Sequence, residues 1–176
     1  MEFLWSPWRY RYVSGGNAGR QSDQGCVLCA IRDARGQDRE ALIVHRARRS
    51  FVVLNRYPYT SGHLMVVPYA HVGTLAEAPP EAAAELMDLT RTAEAVLRNL
   101  YRPDGINIGT NIGSAAGAGV EGHIHMHALP RWVGDSSFAT VVGETRVLPE
   151  ALSLTWQRVR GRFAARQEGG GAARSV

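Results

Sequence analysis

The sequence predicts an α+β fold, a single domain in which a mostly antiparallel sheet of five strands packs with one long helix and a C-terminal helix. Two observations support this prediction. Five short apolar runs are each bounded by glycine, proline or polar turn residues, a pattern typical of strands. One longer run instead repeats its apolar side chains at three- and four-residue steps, which is typical of a helix that buries one face.

The strands are predicted at residues 41–44, 51–55, 63–68, 105–112 and 123–129. The turn segment 56–62 favours an antiparallel pairing of the second strand with the third. The long helix is predicted from Glu81 to Tyr101, and a second helix at about 149–165, beginning near Pro149. The apolar positions that define the long helix are Leu86, Leu89, Ala93, Val96, Leu97 and Leu100.

The 176 residues suffice for one domain with a real core. We expect an N-terminal segment and linker at 1–25, the domain at 26–135, an extension with the C-terminal helix at 136–166, and a disordered tail at 167–176. No apolar run approaches the roughly 20 residues needed to cross a bilayer. The first residues carry arginines and no small-residue cleavage site, which argues against a signal peptide. We therefore expect a cytoplasmic protein with no membrane partner.

All 20 basic residues are arginine, so Schiff-base chemistry and a P-loop lysine are excluded. The net charge of +4 suits an anionic ligand. The chain lacks a basic helix with interleaved aromatic residues, and nucleic acid is not an expected partner. No feature of the sequence indicates an organic cofactor.

Three histidines, His123, His125 and His127, alternate along one predicted strand. Side chains at every second position share a face, and two steps span on the order of 13 Å. Since zinc–nitrogen bonds are about 2.0–2.1 Å, one ion cannot take all three from a straight strand. The three histidines must therefore have different roles. An imidazole can act as a nucleophile, and the glycine-rich loop 113–122 offers backbone N–H groups to an anion, so the combination suits attack on phosphorus.

The two cysteines, Cys26 and Cys29, form the motif CVLC. In a cytosolic chain this spacing favours a metal knuckle or a redox pair over a structural disulfide. A thioredoxin-like redox pair would require a βαβ context, which the sequence does not predict.

The segment HIHMHALPRW at 123–132 resembles the signature of the histidine triad (HIT) superfamily, in which histidines alternate with apolar residues. The segment 51–72 resembles the family element in which an asparagine or aspartate precedes a Gly-His strand. LWSPWRYRY followed by CVLC is similar to a bacterial branch that contains dinucleoside-polyphosphate hydrolases and phosphorylases. The resemblance covers most of the chain.

The resemblance implies cleavage of a dinucleoside polyphosphate, such as diadenosine tetraphosphate, at the α-phosphorus through a covalent nucleotidyl–histidine intermediate. His125 corresponds to the nucleophile, and His127 to the residue that hydrogen-bonds the phosphate. Asn55 matches a position that contacts the ribose, and His63 a histidine of the pocket. Asn111 matches an asparagine on the phosphate side. For Asn55, His63 and Asn111, ordinary roles in a turn or in the core remain alternatives.

The loop before the triad departs from the family pattern. Many relatives carry Gln or Ser where this chain has Gly119, Val120 and Glu121. Gly119 and Val120 offer only backbone N–H groups to a phosphate, and a glutamate would repel the phosphate unless its side chain points away. This departure leaves the preferred leaving group open. Trp132 either lines the nucleotide pocket or packs against the edge of the sheet.

Zinc-bearing members of the superfamily imply a closed Cys₂His₂ site, which would combine the CVLC cysteines with His71 and His123. Such a site has no open position for an activated water, so the zinc would be structural. His123 would then anchor the strand, His125 would attack and His127 would assist.

Several alternatives remain at this point. Within the family, the chain could instead be a Hint-type hydrolase of nucleoside phosphoramidates or adenylates. A zinc hydrolase would use His123 and His125 to hold an open catalytic metal site. A nucleotide sensor would keep the pocket without catalysis. The resemblance also implies a homodimer or a larger homo-oligomer, and it leaves open whether water or phosphate resolves the intermediate.

Overall fold

The computed structural model describes residues 25–136 and 150–170. Three predicted parts lie outside the described residues: the N-terminal segment up to residue 24, residues 137–149 of the C-terminal extension with the predicted helix start near Pro149, and residues 171–176 of the tail. No helix in the described part has the length and apolarity that a membrane crossing requires. The helices are α1 (Val27–Asp33), α2 (Pro80–Tyr101) and α3 (Leu152–Gly170), and a 3-10 turn spans Ser114–Ala116. The strands are β1 (Ile43–Arg46), β2 (Ser50–Leu54), β3 (Leu64–Pro68), β4 (Gly105–Gly109) and β5 (Met126–Arg131).

The five strands form one antiparallel sheet in the order β1-β2-β3-β5-β4. This confirms the predicted fold class. β2 and β3 are buried along their whole length because helices cover both faces of the sheet. Alternate residues of these strands therefore join two separate cores, one under α2 and α3 and one under α1. This two-sided burial explains why FVVL and LMVV are continuous apolar runs with no alternating polar residues.

The pairing of β3 with β5 decides which way the histidine row faces. Met65 of β3 lies opposite His127, and both belong to the side of the sheet that faces α1. Met126 and Ala128 point the other way and pack in the core under α2. The alternation predicted for HIHMHAL thus separates a polar row on one face from an apolar row on the other.

Helix α2 matches its prediction to within one residue at its start. Pro80 occupies the first turn, where the missing N–H costs nothing. Five of the six predicted apolar positions are buried, with Leu97 fully covered, while Leu100 is partly buried and Ala82 and Thr90 are buried as well. The helix ends at Tyr101, and its C-cap residue Arg102 takes a left-handed conformation with φ 43°.

Helix α3 packs against α2 and β1 through buried Val159 and Phe163. The Trp156 indole N–H donates to the Ile43 carbonyl at 2.9 Å. The Tyr101 hydroxyl donates to the Glu150 carboxylate at 2.7 Å, which fastens the start of this segment to the end of α2. The helix begins at Leu152 and continues to Gly170, so residues 167–170 are helical, although the sequence predicted them as part of the disordered tail.

Several predicted boundaries differ from the structure. β1 spans Ile43–Arg46 instead of 41–44, and β5 ends at Arg131 instead of residue 129. β4 ends at Gly109 instead of residue 112, and β5 begins at Met126 instead of residue 123. The pairing of β4 with β5 stops there because backbone groups before Met126 have other partners. The Thr110 hydroxyl donates to the His125 carbonyl at 2.8 Å, and the Ile124 N–H donates to the Val72 carbonyl at 2.7 Å. The segment after Cys26 forms helix α1, which the sequence analysis did not predict.

Candidate functional site

A cavity of about 350 Å³ lies between α1, the end of β2 and the loop before β5. One part of its wall is apolar, and His125 and His127 line another part together with two asparagines. A volume and a lining of this kind are typical of small-molecule sites. The aliphatic side chains and methionine of the lining are Val27, Leu28, Ile31, Ala41, Leu42, Leu54, Met65 and Val120.

His125 is 6% exposed, and its Nδ1 lies 2.9 Å from the His123 carbonyl oxygen. A carbonyl only accepts, so Nδ1 carries the proton and donates it. The neutral ring therefore has an unprotonated Nε2. Burial lowers the pKa of His125 despite the opposing effect of this hydrogen bond, so the ring is neutral at pH 7. His125 has the protonation pattern of a nitrogen nucleophile.

A chain of hydrogen bonds gives His127 the opposite tautomer. The Tyr59 N–H donates to Nδ1 of His63 at 3.2 Å, and the Asn55 amide nitrogen lies 3.3 Å from the same atom. The Asn55 orientation is fixed because its Oδ1 accepts from the Tyr57 N–H at 2.9 Å. His63 must then carry its proton on Nε2, which lies 2.9 Å from Nδ1 of His127. His127 accepts there and keeps its own proton on Nε2.

The two neighbouring rings, His125 and His127, thus offer different groups. Their centroids are 4.8 Å apart, with one Nε2 carrying a lone pair and the other an N–H donor. Burial, and then the charge of a protonated His125, lower the pKa of His127 to about 4. A neutral donor beside a neutral nucleophile is suited to a reaction at an anionic phosphate.

The other predicted binding residues also meet at this cavity. Asn55 and Asn111 line it, although each is engaged in a turn, Asn111 by donating to the Gly117 carbonyl at 3.3 Å. Gly119 and Val120 line it as well. His63 is fully buried behind His127 and acts on the site through that ring.

Two residues left open by the sequence lie elsewhere. Glu121 is outside the described lining of the cavity. Trp132 is likewise outside the lining and packs edge-on against Tyr101, with ring centroids 6.3 Å apart. The packing alternative therefore applies to Trp132.

Four predicted metal ligands, Cys26, Cys29, His71 and His123, lie together, with their ligand atoms all within 4.8 Å of one another. Nδ1 of His123 is 3.3 Å from the Cys26 sulfur and 3.5 Å from the Cys29 sulfur, and Nδ1 of His71 is 3.2 Å from the Cys29 sulfur. In a tetrahedral zinc site the sulfur and nitrogen ligands are roughly 3.6 Å apart. The four donors fit a metal ion.

The surroundings of this cluster also suit a cation. Nε2 of His123 donates to the Pro68 carbonyl at 2.9 Å, which fixes the tautomer and leaves Nδ1 free to ligate. Burial and the neighbouring Cys26 sulfur raise the pKa of the Cys29 thiol. A bound cation would offset both effects by stabilising the thiolates.

A larger cavity of about 730 Å³ lies at the turn between β1 and β2. Its lining includes Arg32 and Arg46, which pair with Asp33 and Asp38 and donate to main-chain carbonyls. The described lining contains no histidine or cysteine. The histidine row and the metal-ligand cluster therefore belong to the smaller cavity and its neighbourhood.

Sequence analysis missed two contributors to the site. One is the apolar face of α1, formed by Val27, Leu28 and Ile31, whose spacing around the cysteines was a signal of a helix. The other is the Tyr59 N–H, which sets the His63 tautomer. A backbone N–H has no sequence signature, so only the fold reveals this role.

Comparisons with known proteins find similar sequences and a similar structure. A model of the HIT domain matches residues 37–133. The AP-4-A phosphorylase of Mycobacterium tuberculosis is 38% identical over 157 residues, which cover 88% of this chain and 80% of that protein. An adenylylsulfatase of Arabidopsis thaliana is 30% identical over 115 residues, which cover 65% of this chain and 56% of that protein. A Zn-bound histidine triad family protein from Mycobacterium smegmatis has a crystal structure that superposes with a TM-score of 0.65 at 29% identity, covering 82% of this chain and 97% of that one.

Lowering the pH should destabilise the fold through His127. Its pKa is about 4 in the folded chain against an ordinary value of 6.5. Between these values the unfolded chain binds more protons, so stability falls as the pH drops from about 6.5 towards 4. Urea unfolding, followed by circular dichroism across this range, measures the slope. The His127→Gln variant, which keeps an acceptor for His63, should show a shallower slope, and an equal slope would contradict the assignment.

Proposed function

This chain belongs to the HIT domain family and is an enzyme, and we propose that it cleaves dinucleoside polyphosphates at the α-phosphorus through a covalent nucleotidyl–histidine intermediate. The observation that carries the proposal is the pair of opposite tautomers at His125 and His127. An unprotonated nitrogen and an N–H donor on adjacent rings match the two needs of phosphoryl attack, a nucleophile and a group that stabilises charge on phosphate oxygens.

The cavity suggests how the substrate lies. The apolar wall would take the base and ribose of one nucleoside, because stacking and apolar contact suit an aromatic ring. The α-phosphate would lie beside His125 and His127, with the backbone N–H groups of Gly119 and Val120 near it. Asn55 and Asn111 would contact the ribose and the phosphate side. The apolar lining offers no base-edge pattern, so we expect weak preference among purines.

In the first step, the lone pair on Nε2 of His125 attacks the α-phosphorus. An N–P bond forms, and the P–O bond to the departing polyphosphate breaks. The Nε2–H of His127 hydrogen-bonds a phosphate oxygen and stabilises the developing charge. The positive charge on the His125 ring is stabilised through Nδ1–H, which donates to the His123 carbonyl.

In the second step, an oxygen nucleophile attacks the same phosphorus. The N–P bond breaks, and its electron pair returns to Nε2 of His125. Water gives a nucleoside monophosphate and releases a proton to solvent, whereas orthophosphate gives a nucleoside diphosphate. The AP-4-A phosphorylase of M. tuberculosis, 38% identical, favours phosphate as the second nucleophile here.

Hydrolysis of adenylates in the manner of Hint-type enzymes is the second candidate function. The 30% identity to an adenylylsulfatase of A. thaliana supports it, and the same two histidines would perform it. The difference lies in the leaving group. Gly119 and Val120 have no side-chain hydrogen-bond donor, so only their backbone N–H groups could donate a hydrogen bond to the leaving group.

We propose that the Cys₂His₂ cluster binds zinc. Two thiolates and two imidazoles are the donors that zinc takes in closed structural sites, and the M. smegmatis relative is Zn-bound. When bound, the ion would cross-link α1, the segment after β3 and the loop before β5, and would activate no water. His123 would hold the ion, which leaves His125 for the reaction.

We further propose a homodimer. β4 lies at the edge of the sheet, and Ile108 on it is 44% exposed. An exposed apolar edge strand is a template for pairing with a second strand. Light scattering on the full chain should give twice the mass of one chain or a higher multiple, and a monomer at micromolar concentration would contradict the proposal.

Diadenosine tetraphosphate should be converted to ADP and ATP in the presence of orthophosphate. AMP plus ATP, formed regardless of phosphate, would instead indicate hydrolysis, and an untouched substrate would favour the adenylate branch.

His125→Ala should lower the rate by more than about a thousand-fold, because no other group replaces the nucleophile. His45→Gln, a histidine stacked on Phe163 outside the cavity, is the matched control and should keep the activity. Nucleotide chromatography after quenched reactions gives both results.

Purified protein should contain one zinc per chain. Cys29→Ser should lose the ion and lower the melting temperature, because the cross-link disappears. His125→Ala should retain one zinc per chain, since this ring is outside the cluster. Elemental analysis of the three proteins decides the point. Loss of zinc in His125→Ala would favour the open catalytic metal site over the closed structural one.

A further inference from the structure

Helix α1 joins the metal-ligand cluster to the cavity. Cys26 at its N-cap and Cys29 in its first turn belong to the cluster. Val27, Leu28 and Ile31 line the cavity. The same seven-residue helix therefore contributes to both sites, because Val27 and Leu28 of the cavity lining lie in sequence between the two cysteines of the cluster.

The helix has little stability of its own. It is seven residues long, with no side-chain N-cap hydrogen bond and no acidic residue in its first turn. Isolated helices shorter than about 12–15 residues are marginal in water. Leu28 in the first turn packs in the core, and Arg46 donates to the carbonyls of Arg32 and Ala34 at the C-terminal end. The contacts of Cys26 and Cys29 add polar cross-links to the same first turn, on either side of Val27 and Leu28 in the sequence.

The cluster also fixes a second wall of the cavity. His123 lies three residues after Val120, and Val120 packs in the same core as Leu28. Nδ1 of His123 is 3.3 Å from the Cys26 sulfur. An ion held by these ligands would therefore set the position of α1 and of the loop 119–120 together.

We infer that ion binding at the Cys₂His₂ cluster and nucleotide binding in the cavity are thermodynamically coupled through α1. This inference rests on the proposed nucleotide function. Each ligand strengthens the other because an ion that holds the N-terminal turn lowers the ordering cost of closing the wall on a nucleoside. Coupling is reciprocal, so the factor by which zinc tightens a nucleotide equals the factor by which that nucleotide tightens zinc.

The test uses AMP as the nucleotide and the full-length chain. Calorimetry gives the AMP affinity of the zinc-loaded and the chelator-stripped protein. Competition with a chelator gives the zinc affinity with and without saturating AMP. Both comparisons should yield the same factor, within the range of about 5- to 150-fold that is typical of coupled sites. Equal AMP affinity in the two folded forms would overturn the inference.

Val27→Ala tests the route of the coupling. Val27 lies in sequence between Cys26 and Cys29 and lines the cavity, but its side chain offers no metal ligand atom. It is 55% exposed, so the fold should tolerate the change. The variant should bind zinc normally in the absence of AMP, with a coupling factor reduced by about half or more. Val133→Ala, at a side chain 91% exposed outside the described lining, is the matched control and should keep the full factor. A full coupling factor in Val27→Ala would overturn the role of α1.

A cobalt-substituted protein covers the case in which the metal-free chain unfolds. Thiolate-ligated cobalt absorbs visible light, and AMP should shift this spectrum saturably if the cavity wall and the ligands move together. An unchanged spectrum at saturating AMP would overturn the inference. Failure of AMP to bind the zinc-loaded protein at all would instead contradict the proposed function, so the two failures are distinguishable.

Discussion

Buried imidazoles must satisfy their polar nitrogens, and this constraint organises the site. His123, His125 and His127 each spend one nitrogen on a partner supplied by the fold. The partners are the Pro68 carbonyl, the His123 carbonyl and the His63 ring. The nitrogen that remains faces the two cysteine sulfurs in His123, carries a lone pair in His125 and carries an N–H in His127. Three residues of one type thus present three different groups because their partners differ.

The rest of the fold serves to hold those partners in place. His63 follows Gly62, whose φ of +82° suits glycine and whose missing side chain makes room for Tyr101, since a Cβ there would lie 2.8 Å from that ring. The Thr60 hydroxyl in the same turn donates to the Pro130 carbonyl of β5. The turn that carries His63 is therefore fastened to both α2 and β5. The Tyr101 hydroxyl also donates a hydrogen bond to the Glu150 carboxylate, so the C-terminal segment supports the turn that carries His63.

The two hydrophobic cores differ in size and in the elements that form them. The core under α2 and α3 is the larger of the two and is formed by long elements with strong local signals. The core under α1 is smaller, includes partly buried Cys26, and borders the cavity. A short helix that lacks intrinsic stability is suited to a wall that responds to ligands, because its position is set by contacts at its ends.

The sequence by itself determined the strands, the long helix, the alternation of three histidines and the spacing of the two cysteines. These features depend on residues close together in the chain, where periodicity reflects which face is buried. The resemblance to known relatives predicted the four-residue cluster, whose ligand atoms lie within 4.8 Å of one another. Tertiary structure alone decided which nitrogen of His123 and of His127 carries the proton, because their partners lie 55 and 64 residues away in sequence. It also decided that β5 begins at Met126. The Thr110 hydroxyl and the Val72 carbonyl hydrogen-bond the His125 carbonyl and the Ile124 N–H, which would otherwise be available for strand pairing. Helix α1 belongs to the same category, because a helix this short forms only where the fold holds it.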